Sequence, residues 1–188
     1  MKYLFIDTCT SHLIVSLIID GKIVSYFNEK IDKGMSNYIL PEIEKQLKDN
    51  NLEASSIDAI FVSNGPGSFT GIRVGLTISK VYAWSLNIKV IPISSLEVLA
   101  STNTNGNNLA IMDARRGYVY LGGYDNDLNS LITDSYVLYD KDKCFPIPAI
   151  ILFTIFMCST SFIFSSFSIL FFSPSVIGSR SFLILFIF

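Results

Sequence analysis

Charge stops at Lys143. Of the 30 charged side chains in the 188 residues, 29 lie in residues 1–144 and one, Arg180, in the remainder. Within residues 147–188, Phe, Ile, Ser and Leu fill 32 of 42 positions, ten of them with phenylalanine. A helix built from such a run has no polar face to turn to water, so a solvated fold has to be made from the first part of the chain. That part is ordinary in composition and slightly acidic. The formal charge of −2 excludes a strongly basic nucleic-acid binder acting by charge alone. Cys9, Cys144 and Cys158 form no CxxC and no even framework, so neither a disulfide scaffold nor a zinc cluster is expected. His12 is the only histidine, which argues against histidine triads and metal sites and suits a plain turn residue. Asp7 follows Lys2 too soon for a secretory signal peptide.

Residues 3–7, 13–19 and 23–27 read as strands, the last two joined by the hairpin signal Asp20-Gly21. Residues 35–50 change to helical period, with Ile39, Leu40, Ile43 and Leu47 apolar among charged neighbours. Pro41 is tolerated best in a first turn, so the helix is expected to start near Leu40. A buried-type strand at 57–63, a helix at 70–85, a strand at 89–93 and a short helix at 95–101 complete a mixed α/β lobe. The Asn/Gly run 103–108 is the expected domain boundary. Strands are expected beyond it at 109–113, 118–124 and 135–139, with a turn at 125–129. The expected organisation is a first lobe at 1–102, an incomplete second lobe at 109–144 and an aberrant apolar tail at 147–188.

The run Asn64-Gly65-Pro66-Gly67-Ser68-Phe69-Thr70-Gly71 separates a buried-type strand from a helix, where α/β sheets hold ligands or partners. No Lys-Ser/Thr pair closes it as a Walker A loop, and its glycines are out of step with GxGxxG. Three readings stay open: a tight turn capped by Ser68 or Thr70, an anion site assisted by Arg73, or a protein-contact loop. In the following helix Gly71, Gly75 and Ser79 form a small-residue stripe, which serves either packing on its own sheet or a helix-to-helix subunit contact. Asp7 and Asp113 each end a strand. Either suits a structural cap or a carboxylate for magnesium or a ribose hydroxyl. Arg115 and Arg116 would grip phosphate or a carboxylate, or pair with the nearby acids. No nucleophile–base set is visible.

Larger words in the chain carry a resemblance. Phe5-Ile6-Asp7-Thr8, Leu40-Pro41, the block from Gly65 to Leu76, Pro92-Ile93-Ser94-Ser95-Leu96 and Met112-Asp113-Ala114-Arg115-Arg116-Gly117 together resemble the TsaB (YeaZ) family over about residues 1–140. The resemblance implies the two-lobed actin/Hsp70/sugar-kinase fold, each lobe a ribonuclease-H-like sheet, here with a truncated second lobe. It further implies a cytoplasmic, non-catalytic subunit. Its expected partners are a TsaD-type threonylcarbamoyl transferase and a TsaE-type ATPase in making N6-threonylcarbamoyladenosine at tRNA position 37, with tRNA met only through the complex. A homodimer is also compatible. No cofactor is expected beyond weak nucleotide or magnesium binding.

Residue by residue, Ile39, Leu40, Ile43, Gly71, Ile72, Gly75, Leu76 and Ser79 would lie at the partner interface. Asp7, Thr8, Gly65, Gly67, Ser68, Arg73, Asp113 and Arg115 would be a vestigial nucleotide or anion site. Met35-Ser36 stands where the family usually has a His-containing pair. The match ends between about Asp140 and Pro148. A frameshift in an AT-rich gene, a membrane anchor over 149–173 and a buried core helix compete as origins of the tail. The competing functions are an ATP-binding enzyme of the sugar-kinase type and a membrane-anchored regulatory domain.

Overall fold

The computed structural model describes residues 1–103, 106–139 and 151–156. Packing divides the chain into two units, the first spanning Met1–Val98 and the second beginning at Leu99. The expected linker at 103–108 is partly structured. The Asn108 side chain donates to the Asn103 and Gly106 carbonyls (2.9 and 3.3 Å) and accepts from Asn103 Nδ2 (2.7 Å).

In the first unit, β1 (Lys2–Asp7), β2 (His12–Ile19) and β3 (Lys22–Lys30) form an antiparallel meander. Asp20 and Gly21, both at positive φ, make its tight turn. β4 (Ala59–Ser63) then pairs in parallel with β1, and β5 (Lys89–Ile93) in parallel with β4. The sheet order is β3-β2-β1-β4-β5. Leu4 and Ile6 of β1, Val15 and Leu17 of β2, and Ile60 and Val62 of β4 turn to one face, where α1 (Ser36–Asp49) and α2 (Phe69–Leu86) bury them. Ile39, Ile43 and Leu47 return at helical period from α1 to complete that core.

Two local expectations change. Helix α1 begins at Ser36, not near Leu40, and holds Pro41 inside it. Proline removes the N–H that would bond the Asn37 carbonyl. Asn37 is exposed, so water can take that carbonyl, while Ile39 and Ile43 hold the turn onto the sheet. The buried-type strand starts at Ala59 because residues Ala54–Ser56 form a 3-10 turn.

A short helix, α3 (Ser95–Ala100), follows β5. The second unit contains β6 (Asn107–Arg115), β7 (Tyr118–Tyr124), β8 (Ser130–Leu138) and β9 (Ile151–Phe156), in the order β8-β7-β6-β9. β6, β7 and β8 are antiparallel neighbours, and β9 pairs in parallel with β6. Among the described residues, Leu109, Ile111, Val119 and Leu121 form a small core cluster there, with Ile132 and Val137 against them. β9 falls within the segment expected as an aberrant tail. The expected core helix and the span at 149–173 otherwise lie outside the described residues. Among the described residues no helix is long and apolar enough to cross a membrane.

Candidate functional site

β1 delivers Asp7 to the mouth of the glycine turn and then closes it off. The Asp7 carboxylate accepts the Cys9 backbone N–H (2.7 Å) on one oxygen and the Ser63 hydroxyl (2.7 Å) on the other, and is almost wholly buried. Burial raises its pKa above the ordinary value, against the lowering effect of those hydrogen bonds. The next residue, Thr8, is fully buried and donates its hydroxyl to the Gly71 carbonyl (2.7 Å). Cys9 accepts the Ser68 N–H through its carbonyl (2.6 Å) and leans its thiol on the Ser63 carbonyl (3.5 Å). Burial first, and the Asp7 carboxylate second, push that thiol up to about 12, which keeps it protonated and unreactive.

The turn is folded onto this strand end. A cis peptide joins Gly65 to Pro66, the Gly65 carbonyl accepts the Ser95 N–H (2.8 Å), and the Ser68 hydroxyl caps α2 by accepting from Gly71 N (3.2 Å). A Cβ on Gly67 would overlap the Cys9 carbonyl, and one on Gly71 the Thr8 carbonyl. The strand end and the turn therefore pack backbone to backbone. Of the residues expected to form a vestigial nucleotide or anion site, Asp7, Thr8 and Ser68 spend these hydrogen bonds on their own fold. A Cβ on Gly65 would meet the Ile72 side chain, and Arg73 lies on the exposed side of α2 with its guanidinium 4.0 Å over the Phe69 ring. Asp113 and Arg115 belong to the second unit, where the Asp113 carboxylate accepts the Arg115 N–H (2.8 Å). Among the described residues no group of three or more His, Cys, Asp or Glu side chains is placed to hold a metal.

The interface expectation is corrected on the same grounds. Gly71, Gly75 and Ser79 are buried, and a Cβ on Gly75 would overlap the Thr8 hydroxyl, so the small-residue stripe packs α2 on its own sheet. Ile39 and Ile43 are core residues, and Leu76 lies partly buried against the same core. Of the residues expected at the interface, Leu40 alone is exposed, and Ile72 is half-buried. The open side of α2 is the opposite one. There Phe69, Val81 and Trp84 are 69, 60 and 85% exposed. Their spacing with Arg73 and Thr77 was readable as a helical stripe.

A mixed five-stranded sheet with both α1 and α2 on one face, and a strand-end carboxylate buried beside a glycine turn, defines a protein of the mixed α/β class. A family model described as "TsaD: tRNA N6-adenosine threonylcarbamoyltransferase" matches residues 29–143. The chain belongs to that family, and the curated proteins it resembles include TsaB proteins. It is 36% identical to the tRNA threonylcarbamoyladenosine biosynthesis protein TsaB of Bacillus subtilis (strain 168) over 126 residues, 66% of this chain and 55% of the relative. The TsaB of Escherichia coli (strain K12) is 33% identical over 135 residues, 70% of this chain and 58% of the relative. YeaZ from Pseudomonas aeruginosa superposes with a TM-score of 0.72 at 26% identity, over 79% of this chain and 72% of that one. The chain thus spans a little over half the length of the curated relatives it matches.

Proposed function

We propose that this chain is a non-catalytic partner subunit in the synthesis of N6-threonylcarbamoyladenosine at tRNA position 37. The observation that carries this reading is a contrast. The Asp7 carboxylate at the end of β1 is buried against the Cys9 N–H and the Ser63 hydroxyl, while α2 presents Phe69, Arg73, Val81 and Trp84 to solvent. The first feature removes the group a phosphate- or metal-using relative would need. The second supplies aromatic and arginine anchors of the type that dominate protein interfaces.

The partner in this reading is a TsaD-type transferase subunit, with Leu40 of α1 adding to the contact. A TsaE-type ATPase would join the same assembly, and self-pairing would use the same side of α2. The actin/Hsp70/sugar-kinase class and a cytoplasmic location follow from the same resemblance.

Reconstitution tests the reading. Transferase subunit, ATPase subunit, threonylcarbamoyl-adenylate and tRNA, with this chain added, should give modified adenosine, and omission of the transferase should abolish it. Modified adenosine formed by this chain without the transferase would overturn the proposal.

A further inference from the structure

The second unit carries a surface that neither the family match nor the helix α2 accounts for. Strand pairing places side chains of paired residues on one face of a sheet. Met112 pairs with Tyr120 and Tyr120 with Tyr136, while beyond the bulge Arg115 pairs with Tyr118 and Tyr118 with Leu138. One face therefore carries Tyr118, Tyr120, Tyr136, Leu138 and Arg115. The Tyr118 and Tyr136 rings are stacked 4.7 Å apart and 3° from parallel, and Tyr120 leans on Tyr136 at 5.4 Å. Tyr136 and Leu138 are 55 and 61% exposed, so this aromatic row faces solvent.

Charge of both signs borders this face: exposed Asp134, two residues before Tyr136 on β8, accepts the Tyr124 hydroxyl at the end of the row away from Arg115. Arg115 and Arg116 stand exposed at one end, in a two-residue turn where Arg115, Arg116 and Gly117 all have positive φ. Asn or Gly usually takes such positions, so arginine there is held against local preference. Among the described residues neither guanidinium has an ion-pair partner. The Asp113 carboxylate, which accepts the Arg115 N–H, belongs to a residue paired with Val119, on the opposite face. Asp125 and Asp127 sit at the far end of β7, about 20 Å away at about 3.4 Å per residue.

We propose that this face binds single-stranded RNA directly, with bases stacked on the Tyr136–Tyr118 row and the backbone phosphates held by Arg115 and Arg116. Aromatic faces take any base, and a guanidinium fork takes a phosphate bidentately. Two arginines are a small electrostatic footprint. The surface therefore suits an accessory contact on an RNA that another subunit also holds, and so it deepens the tRNA-modification reading on which it rests.

The test uses the full chain and a fluorescent single-stranded RNA dodecamer, followed by anisotropy across salt. Binding should weaken with salt. The double substitution R115Q/R116Q should lower the salt slope by about 1.4, at about 0.7 per phosphate on a single strand. Tyr136→Leu keeps an apolar side chain but removes the ring, and should weaken binding about fivefold to a hundredfold without changing that slope. Cross-linking with 5-bromouridine RNA should label peptides of β7 and β8. Absence of binding, cross-links elsewhere, or indifference to both substitutions would overturn the proposal, as would concentration-dependent self-association that shields Tyr136. Pull-down of the transferase subunit, run in parallel, separates the two readings. Intact pairing without RNA binding defeats this inference alone, whereas loss of pairing by the wild-type chain defeats the partner-subunit reading.

Discussion

Asp7 occupies a position where burial and hydrogen bonding oppose each other, and burial is the larger effect. A raised carboxyl pKa in the fold means that its contribution to stability is complete below the ordinary value of 3.8 and is lost as pH rises through the folded value. Asp7→Asn keeps an acceptor for the Cys9 N–H and carries no charge. Its stability relative to wild type should therefore rise with pH, and chemical denaturation at pH 4 to 8 would show it; parallel pH profiles would refute the argument. The glycines of α2 give a second test. Alanine is favoured over glycine by about 1 kcal/mol in an open helix. Here Gly71→Ala meets the Thr8 backbone carbonyl and Gly75→Ala the rotatable Thr8 hydroxyl. Overpacking of about 1–3 kcal/mol should leave both variants less stable, Gly71→Ala more so, with partner affinity per folded molecule unchanged. Unchanged melting of both variants with lost affinity for the partner would restore the stripe as a subunit contact.

At the scale of the element, α1 and α2 illustrate how tertiary contacts overrule local preference. Pro41 sits six residues into α1 because the apolar residues Ile39 and Ile43 on either side of it are anchored in the core. Pro41→Ala should add stability, up to about 3 kcal/mol if the position behaves as helix interior, read as a higher denaturation midpoint. Helix α2 has the opposite character: a small buried side and a bulky exposed one. Trp84→Ala should leave the melting temperature within the range of ordinary surface substitutions, about 0.5 kcal/mol. Transferase binding should fall by about thirtyfold, the effect of losing about 2 kcal/mol at an anchor. Titration calorimetry decides between that and an idle surface tryptophan.

For the whole molecule, the two units differ in how much apolar surface they bury. Among the described residues, the first joins residues from three strands and both long helices into one cluster, whereas the second shows a cluster of four on two strands. Hydrogen exchange should find the amides of β1 and β4 protected to the global limit and those of β6 to β8 opening at lower free energy. Equal protection in both sheets would contradict this. The hairpin, the glycine turn, the Ser68 cap and the strand-end acids were legible in the linear chain because each depends on a few neighbouring residues. Hydrophobic period likewise placed the strands and helices, though not their ends, since Pro41 and the 3-10 turn obey the core rather than propensity. Which side of α2 faces inward was not legible. A stripe of Gly71, Gly75 and Ser79 suits a strand as well as a foreign helix, and the residue that settles it, Thr8, lies 63 positions before Gly71. The tyrosine face escaped for the same reason: Tyr118 and Tyr136 meet only when β7 and β8 pair in register. Local chemistry sets turns, caps and periods, but a face acquires meaning only from what distant chain folds against it.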